Sequence, residues 1–168
     1  MNELILESAK TLKGSGIKIN YLDANFPFLN NFPLLPHLSH DDGKKLDISF
    51  VYVEENGTVS NSKISFFGYG FFEKAKTGEF DQTAACKQKG YNQYDLSKFL
   101  SFGARNKKLS FSPEKTKILV NTLLKNDELE KLFIEPHLKI RMNLSSDKVR
   151  FHGCQAVRHD DHIHIEIK

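Results

Sequence analysis

From His162 to Lys168 the chain alternates strictly, with His162, His164, Glu166 and Lys168 on one side and Ile163, Ile165 and Ile167 on the other. A period of two predicts a half-buried β-strand. Nearer the start, Leu4, Ile5, Ser8, Ala9 and Leu12 make one face of a short helix over residues 3–12, closed by Gly14-Ser15-Gly16. Ile17 to Leu22 alternates as a strand. Residues 23–36 hold Pro27, Pro33 and Pro36 among Phe and Asn and read as an irregular connector, the kind of segment that often carries functional groups. Asp42-Gly43 marks a turn, Asp47 to Val53 a strand, and Glu54 to Gly57 the next turn. Residues 58–90 have no clear period, although Phe66, Phe67, Tyr69, Phe71 and Phe72 cluster there. A short helix is expected over 95–102. Ser112-Pro113-Glu114 is a stronger helix start, with Ser as N-cap and Pro at the first helical position; Ile118, Leu119, Thr122 and Leu123 follow on one face. Leu132 to Ile134 looks like a strand stopping before Pro136, and 138–144 fits neither period. Val149 to Phe151, a turn at Gly153 and the histidine strand close the chain. Helices and strands mix without βαβ regularity, so the expected class is α+β: one domain over 1–168, a central, mostly antiparallel sheet with helices packed on it.

Composition narrows the function classes. At 39% hydrophobic and 27% charged residues, the chain is typical of a globular protein with a real core. A net charge of +3 with scattered lysines argues against a nucleic-acid partner. The best apolar run, Ile64 to Phe72, is broken by Gly68 and Gly70, so no membrane span is expected. The first residues carry acid where a signal peptide carries base. The expectation is therefore a cytoplasmic protein, or a periplasmic or cell-envelope one whose leader has been removed. Cys86 and Cys154 permit one disulfide without demanding it.

Candidate chemistry concentrates in two places. His159, His162 and His164 lie near the end with Asp160 and Asp161 between them, and strand geometry puts His162 and His164 on one face, roughly 7 Å apart. Far upstream stand His37, His40 and Asp47. A catalytic zinc takes three protein ligands from His and carboxylate and leaves one position open. His40 and Asp47 can supply two and His164 the third, provided their strands share a sheet; Glu166 could screen or orient such a site. The competing reading is an exposed edge strand with surface histidines. Arg158 could meet a substrate carboxylate or simply be solvated. Asp41, Asp42 and Asp160 are best read as turn residues, and His137 and His152 as loop or core histidines.

The segment His37-Leu-Ser-His40-Asp-Asp-Gly43-Lys-Lys-Leu-Asp47 resembles the Ser-His-x-x-Gly-x-x-x-Asp signature of the LAS metallopeptidases, which include D-Ala-D-Ala peptidases, penicillin-insensitive murein endopeptidases and the non-peptidase hedgehog signalling domain. His159-x-x-His162-x-His164 is similar to the second signature of the murein endopeptidase branch. The two motifs cover about twenty residues, and 54–148 align to nothing in the family. The resemblance implies one Zn2+ held by His40, Asp47 and His164, and a peptide substrate, with peptidoglycan stem peptides or cross-links the first choice. It implies His162 as the proton acceptor in one branch and the position of Asp161, a Glu there, in the other. Strand geometry favours His162, since Asp161 should point away unless the strand begins only at His162. His37 and His159 would flank the cleft. The alternative within the family is a hedgehog-like module that keeps the metal and hydrolyses nothing. The chain is shorter than a typical murein endopeptidase and lacks that branch's cysteines.

Overall fold

The computed structural model describes residues 1–24, 43–92, 94 and 106–168. In chain order the elements are α1 (Asn2–Thr11), β1 (Tyr21–Ala24), β2 (Lys45–Ser49), β3 (Tyr52–Val53), α2 (Gln82–Gln88) and β4 (Ser110–Phe111). There follow α3 (Pro113–Leu123), β5 (Leu129–Phe133), α4 (Pro136–Arg141), β6 (Val149–Arg150) and β7 (His162–Ile167). Five strands form one sheet in the order β1-β2-β7-β5-β6, and β3 pairs with β4 in a second. The pairs are antiparallel except β5 with β6, which is parallel. The class is α+β, as the mixed pattern predicts. Among the described residues no helix is long and apolar enough to cross a membrane. The expected helix at 95–102 lies outside them.

The phase of β7 organises the sheet. Leu46 pairs with Ile165 and Ile48 with Ile163, so the apolar positions of both strands share one face; Asp47 pairs with His164 and Ser49 with His162 on the other. On β5, Leu132 pairs with Ile165 and Phe133 with His164, which repeats the same division. Ile163, Ile165, Leu46, Ile48 and Leu132 belong to one core with Leu4 and Ile5 of α1 and Leu119, Val120 and Leu123 of α3. Each such side chain contributes about 1.5–3 kcal/mol by leaving water.

The strand expected over Ile17 to Leu22 is shifted to Tyr21–Ala24, and two further strand expectations need correction. The run Asp47 to Val53 is not one strand, because β2 ends at Ser49. The Val51 N–H donates to the Thr116 hydroxyl at 3.0 Å and its carbonyl accepts from the Ser112 N–H at 3.0 Å. The start of α3 thus satisfies both backbone groups that a sheet ladder would otherwise hold. The second correction concerns β7, which is not half exposed. It is the third of five strands, and His162 and His164 are only 1% and 2% exposed. At α3 the expectation holds: Ser112 precedes Pro113 and accepts from the Lys115 N–H at 3.3 Å.

The polar face of β7 is covered by residues 65–73, a segment without regular structure. Gly68 sits at φ 87°, and a Cβ there would run into the Leu22 side chain, so glycine is required at this bend. Just beyond it, Tyr69 and Gly70 reach down to the strands.

Cys86 of α2 and Cys154 form a disulfide across 68 positions, tying α2 to the stretch that leads into the histidines. Chain-entropy arguments give such a loop at most about 4.4 kcal/mol, and disulfides typically deliver about 2–4 kcal/mol. Replacing both cysteines by serine is expected to lower the free energy of unfolding by that amount. Denaturant titration measures it, and an unchanged midpoint would contradict a closed disulfide.

Candidate functional site

Side chains from β2, β7 and the residues just before β7 meet on the polar face of the sheet. His164 Nδ1 faces Asp47 Oδ1 at 2.8 Å across the direct β2–β7 pair, bringing together residues 117 positions apart. Asp47 is fully buried, and its Oδ2 accepts from the Tyr69 hydroxyl at 2.8 Å. His162 Nε2 lies 3.6 Å from the same Oδ2. On its other side, His162 Nδ1 is 2.5 Å from Asp161 Oδ1, and Asp161 Oδ2 accepts from the Gly70 N–H at 2.6 Å.

β7 begins only at His162, so Asp161 is not bound by strand alternation and turns inward instead of pointing away. The two candidate proton acceptors are therefore hydrogen-bonded to each other. Burial opposes charge on His162, but the Asp47 and Asp161 carboxylates outweigh it and lift the imidazole to about 9. The Tyr69 hydroxyl is pushed far up by burial and by Asp47.

His159 packs among the other rings, with centroids 4.9 Å from His162, 5.5 Å from His164 and 6.1 Å from Phe133. Its Nε2 is buried without a hydrogen-bond partner. Burial, reinforced by the neighbouring imidazoles, holds it well below the ordinary histidine range. The face thus offers one imidazole drawn toward charge by two carboxylates and another held neutral beside it.

Other candidate residues lie around this cluster. Arg158 is not solvated: it is buried, stacks its guanidinium 4.0 Å from the centre of the Phe72 ring, and pairs with both oxygens of Asp160 at 3.0 and 2.6 Å. Asp160 lies at a bend, as expected, and is also the ion-pair partner of Arg158. Glu166 Oε1 lies 4.0 Å from His164 Nε2 at the rim, with the Lys131 ammonium 3.0 Å from its Oε2. His137, on α4, puts Nε2 2.7 Å from the Glu73 carbonyl and stands apart from the cluster. Beside the site a cavity of about 460 Å³ is lined by residues including Gly70, Phe72, His137, Arg158 and Asp160. His37, His40, Asp41 and Asp42 lie outside the described residues.

Sequence reasoning missed His152 and Tyr69. The His152 ring stacks on Phe133 at 4.1 Å and lies 5.1 Å from His159 and 5.6 Å from His164. Burial pushes it down to about 4. Nothing local marks it; its place follows from the β5–β6 pairing just before it and the Cys154 anchor just after. Tyr69 could have been suspected only as one aromatic among five.

Among the described residues, no three His, Cys, Asp or Glu side chains are grouped to hold an ion. The converging pair is Asp47 and His164, a carboxylate and an imidazole, as hydrolytic zinc sites use. Compared with protein-family models the chain matches none, and no curated protein is similar enough to match it.

Proposed function

We propose that this chain is a zinc-dependent peptidase acting on short peptides, with peptidoglycan stem peptides or cross-links as the first substrate class to test. One observation carries the reading: Asp47 Oδ1 and His164 Nδ1, one from each end of the motif pair, stand 2.8 Å apart on a buried sheet face. Two donors about 2.0–2.2 Å from one tetrahedral zinc lie roughly 3.3–3.6 Å apart, a side-chain adjustment of under about 1 Å. His40, outside the described residues, would be the third ligand.

Zinc at this place would polarise the scissile carbonyl and make a bound water acidic enough to act near neutral pH. The protein's own groups do the rest. His162 accepts the proton at Nε2, while Asp161 holds Nδ1 and so fixes the ring and its tautomer. Asp47 is the larger carboxylate influence raising His162; a dication there would offset it and return the imidazole toward neutral. The Tyr69 hydroxyl orients Asp47. His159, uncharged and with Nε2 unpartnered, can donate to or accept from the reacting oxygen, and His37, by the resemblance, would also flank the cleft.

The test is incubation of zinc-loaded protein with peptidoglycan fragments and mass spectrometry of the products. Cleavage that stops with a chelator and returns with Zn2+ is expected. Stoichiometric zinc without cleavage of any fragment would instead favour a hedgehog-like, non-hydrolytic module.

A further inference from the structure

We infer that Glu135 is a positioning residue whose carboxylate, together with its own backbone, sets the place of His159. Glu135 follows β5 and occupies the N-cap of α4, where a side-chain oxygen ordinarily accepts from the first turn of the helix. It makes no such bond. Its Oε1 instead accepts from the His159 N–H at 3.1 Å, while its own N–H donates to the His159 carbonyl at 3.1 Å. Both backbone groups of His159 are thereby held by one residue. The Tyr94 hydroxyl donates to the same Oε1 and fixes the carboxylate from behind.

The placement is costly, which argues that it has a purpose. Glu135 is 0% exposed, its Oε2 is buried without a partner, and an apolar residue would avoid that desolvation. What the carboxylate adds is register for a turn just ahead of β7. Two residues earlier, at the end of β5, Phe133 supplies the ring wall against which His152, His159 and His164 pack. The end of β5 thus holds His159 twice, by its ring and by its backbone.

The kinetic part of the test rests on the peptidase reading; the structural part does not. Glu135→Met removes the acceptor at similar volume. It is expected to speed amide exchange at His159 on the order of tenfold, to lower kcat about 10–100-fold with KM little changed, and to leave zinc stoichiometry intact. Glu135→Gln keeps a carbonyl oxygen for both the His159 N–H and the Tyr94 hydroxyl, and should restore protection and kcat to within about threefold of wild type. Wild-type exchange at His159 in Glu135→Met would overturn the inference. So would a Glu135→Gln variant as impaired as Glu135→Met, because charge and not the hydrogen bond would then be what matters. If Glu135→Met does not fold, Tyr94→Phe decides the point: it leaves the carboxylate unanchored and is expected to speed His159 exchange severalfold, and exchange at the wild-type rate would overturn the inference. A wild type that hydrolyses nothing defeats the peptidase reading and leaves the exchange result standing.

Discussion

Asp47→Ala is expected to lose zinc almost completely, from one equivalent to below about one tenth, and to lose at least about 10³-fold in peptide hydrolysis. A catalytic zinc has three protein ligands, so removing one of them removes most of the affinity. The charge stabilisation the ion supplies is worth several kcal/mol, which corresponds to that factor in rate. Asp47 also holds the Tyr69 hydroxyl and faces His164 Nδ1, and the site is buried. Removing the carboxylate takes the acceptor from both groups, at about 1–3 kcal/mol of stability. Asp47→Asn separates the two effects, since it keeps an oxygen for Tyr69 while weakening the ligand. It should fold nearly as well as wild type and still lose zinc. Elemental analysis and thermal unfolding of the two variants measure these outcomes together; an alanine variant that keeps a full equivalent would show that Asp47 is not a ligand.

His162→Ala should behave in the opposite way with respect to metal. It is expected to retain zinc while kcat falls about 10²–10⁴-fold and KM changes little, the range for loss of a positioned acid–base group. The geometry behind this is the chain from Gly70 N–H through Asp161 to His162 Nδ1, with Nε2 turned to the side of Asp47. Asp161→Asn keeps the ring in place less firmly and should cost less, about 10–100-fold. Steady-state kinetics on the zinc-loaded variants give the comparison. Should Asp161→Asn prove the more damaging of the two, the carboxylate and not the imidazole would be the proton acceptor.

What could be read from the sequence was what short-range pattern encodes. Alternation in the last strand placed Ile163 and Ile165 in the core and His162 with His164 on the other face, because side-chain direction in a strand depends only on parity. Ser112-Pro113 marked the start of α3 because capping is a local matter. The failures all depend on contacts distant in sequence. β2 stops at Ser49 because Ser112 and Thr116 take over the backbone of Val51. The histidine face is buried because Tyr69 and Gly70, in a segment with no period to recognise, lie across it. His152 reaches the cluster through strand pairing and a disulfide, neither of which its neighbours announce. At Asp161 the outcome turned on where the strand begins, a matter of a single residue. For the site itself, Asp47 opposite His164 is the half that the strand patterns made legible. The half bearing His37 and His40 follows the proline-rich stretch 23–36 in the sequence, where periodicity carries no information.

The most direct test is the zinc content of purified protein after reconstitution and dialysis, compared with that of His40→Ala, Asp47→Ala and His164→Ala. One ion per wild-type chain and close to none in each variant is the predicted result. A wild-type chain that takes up no zinc, or any one of the three variants that keeps a full equivalent, would contradict a centre built from these residues.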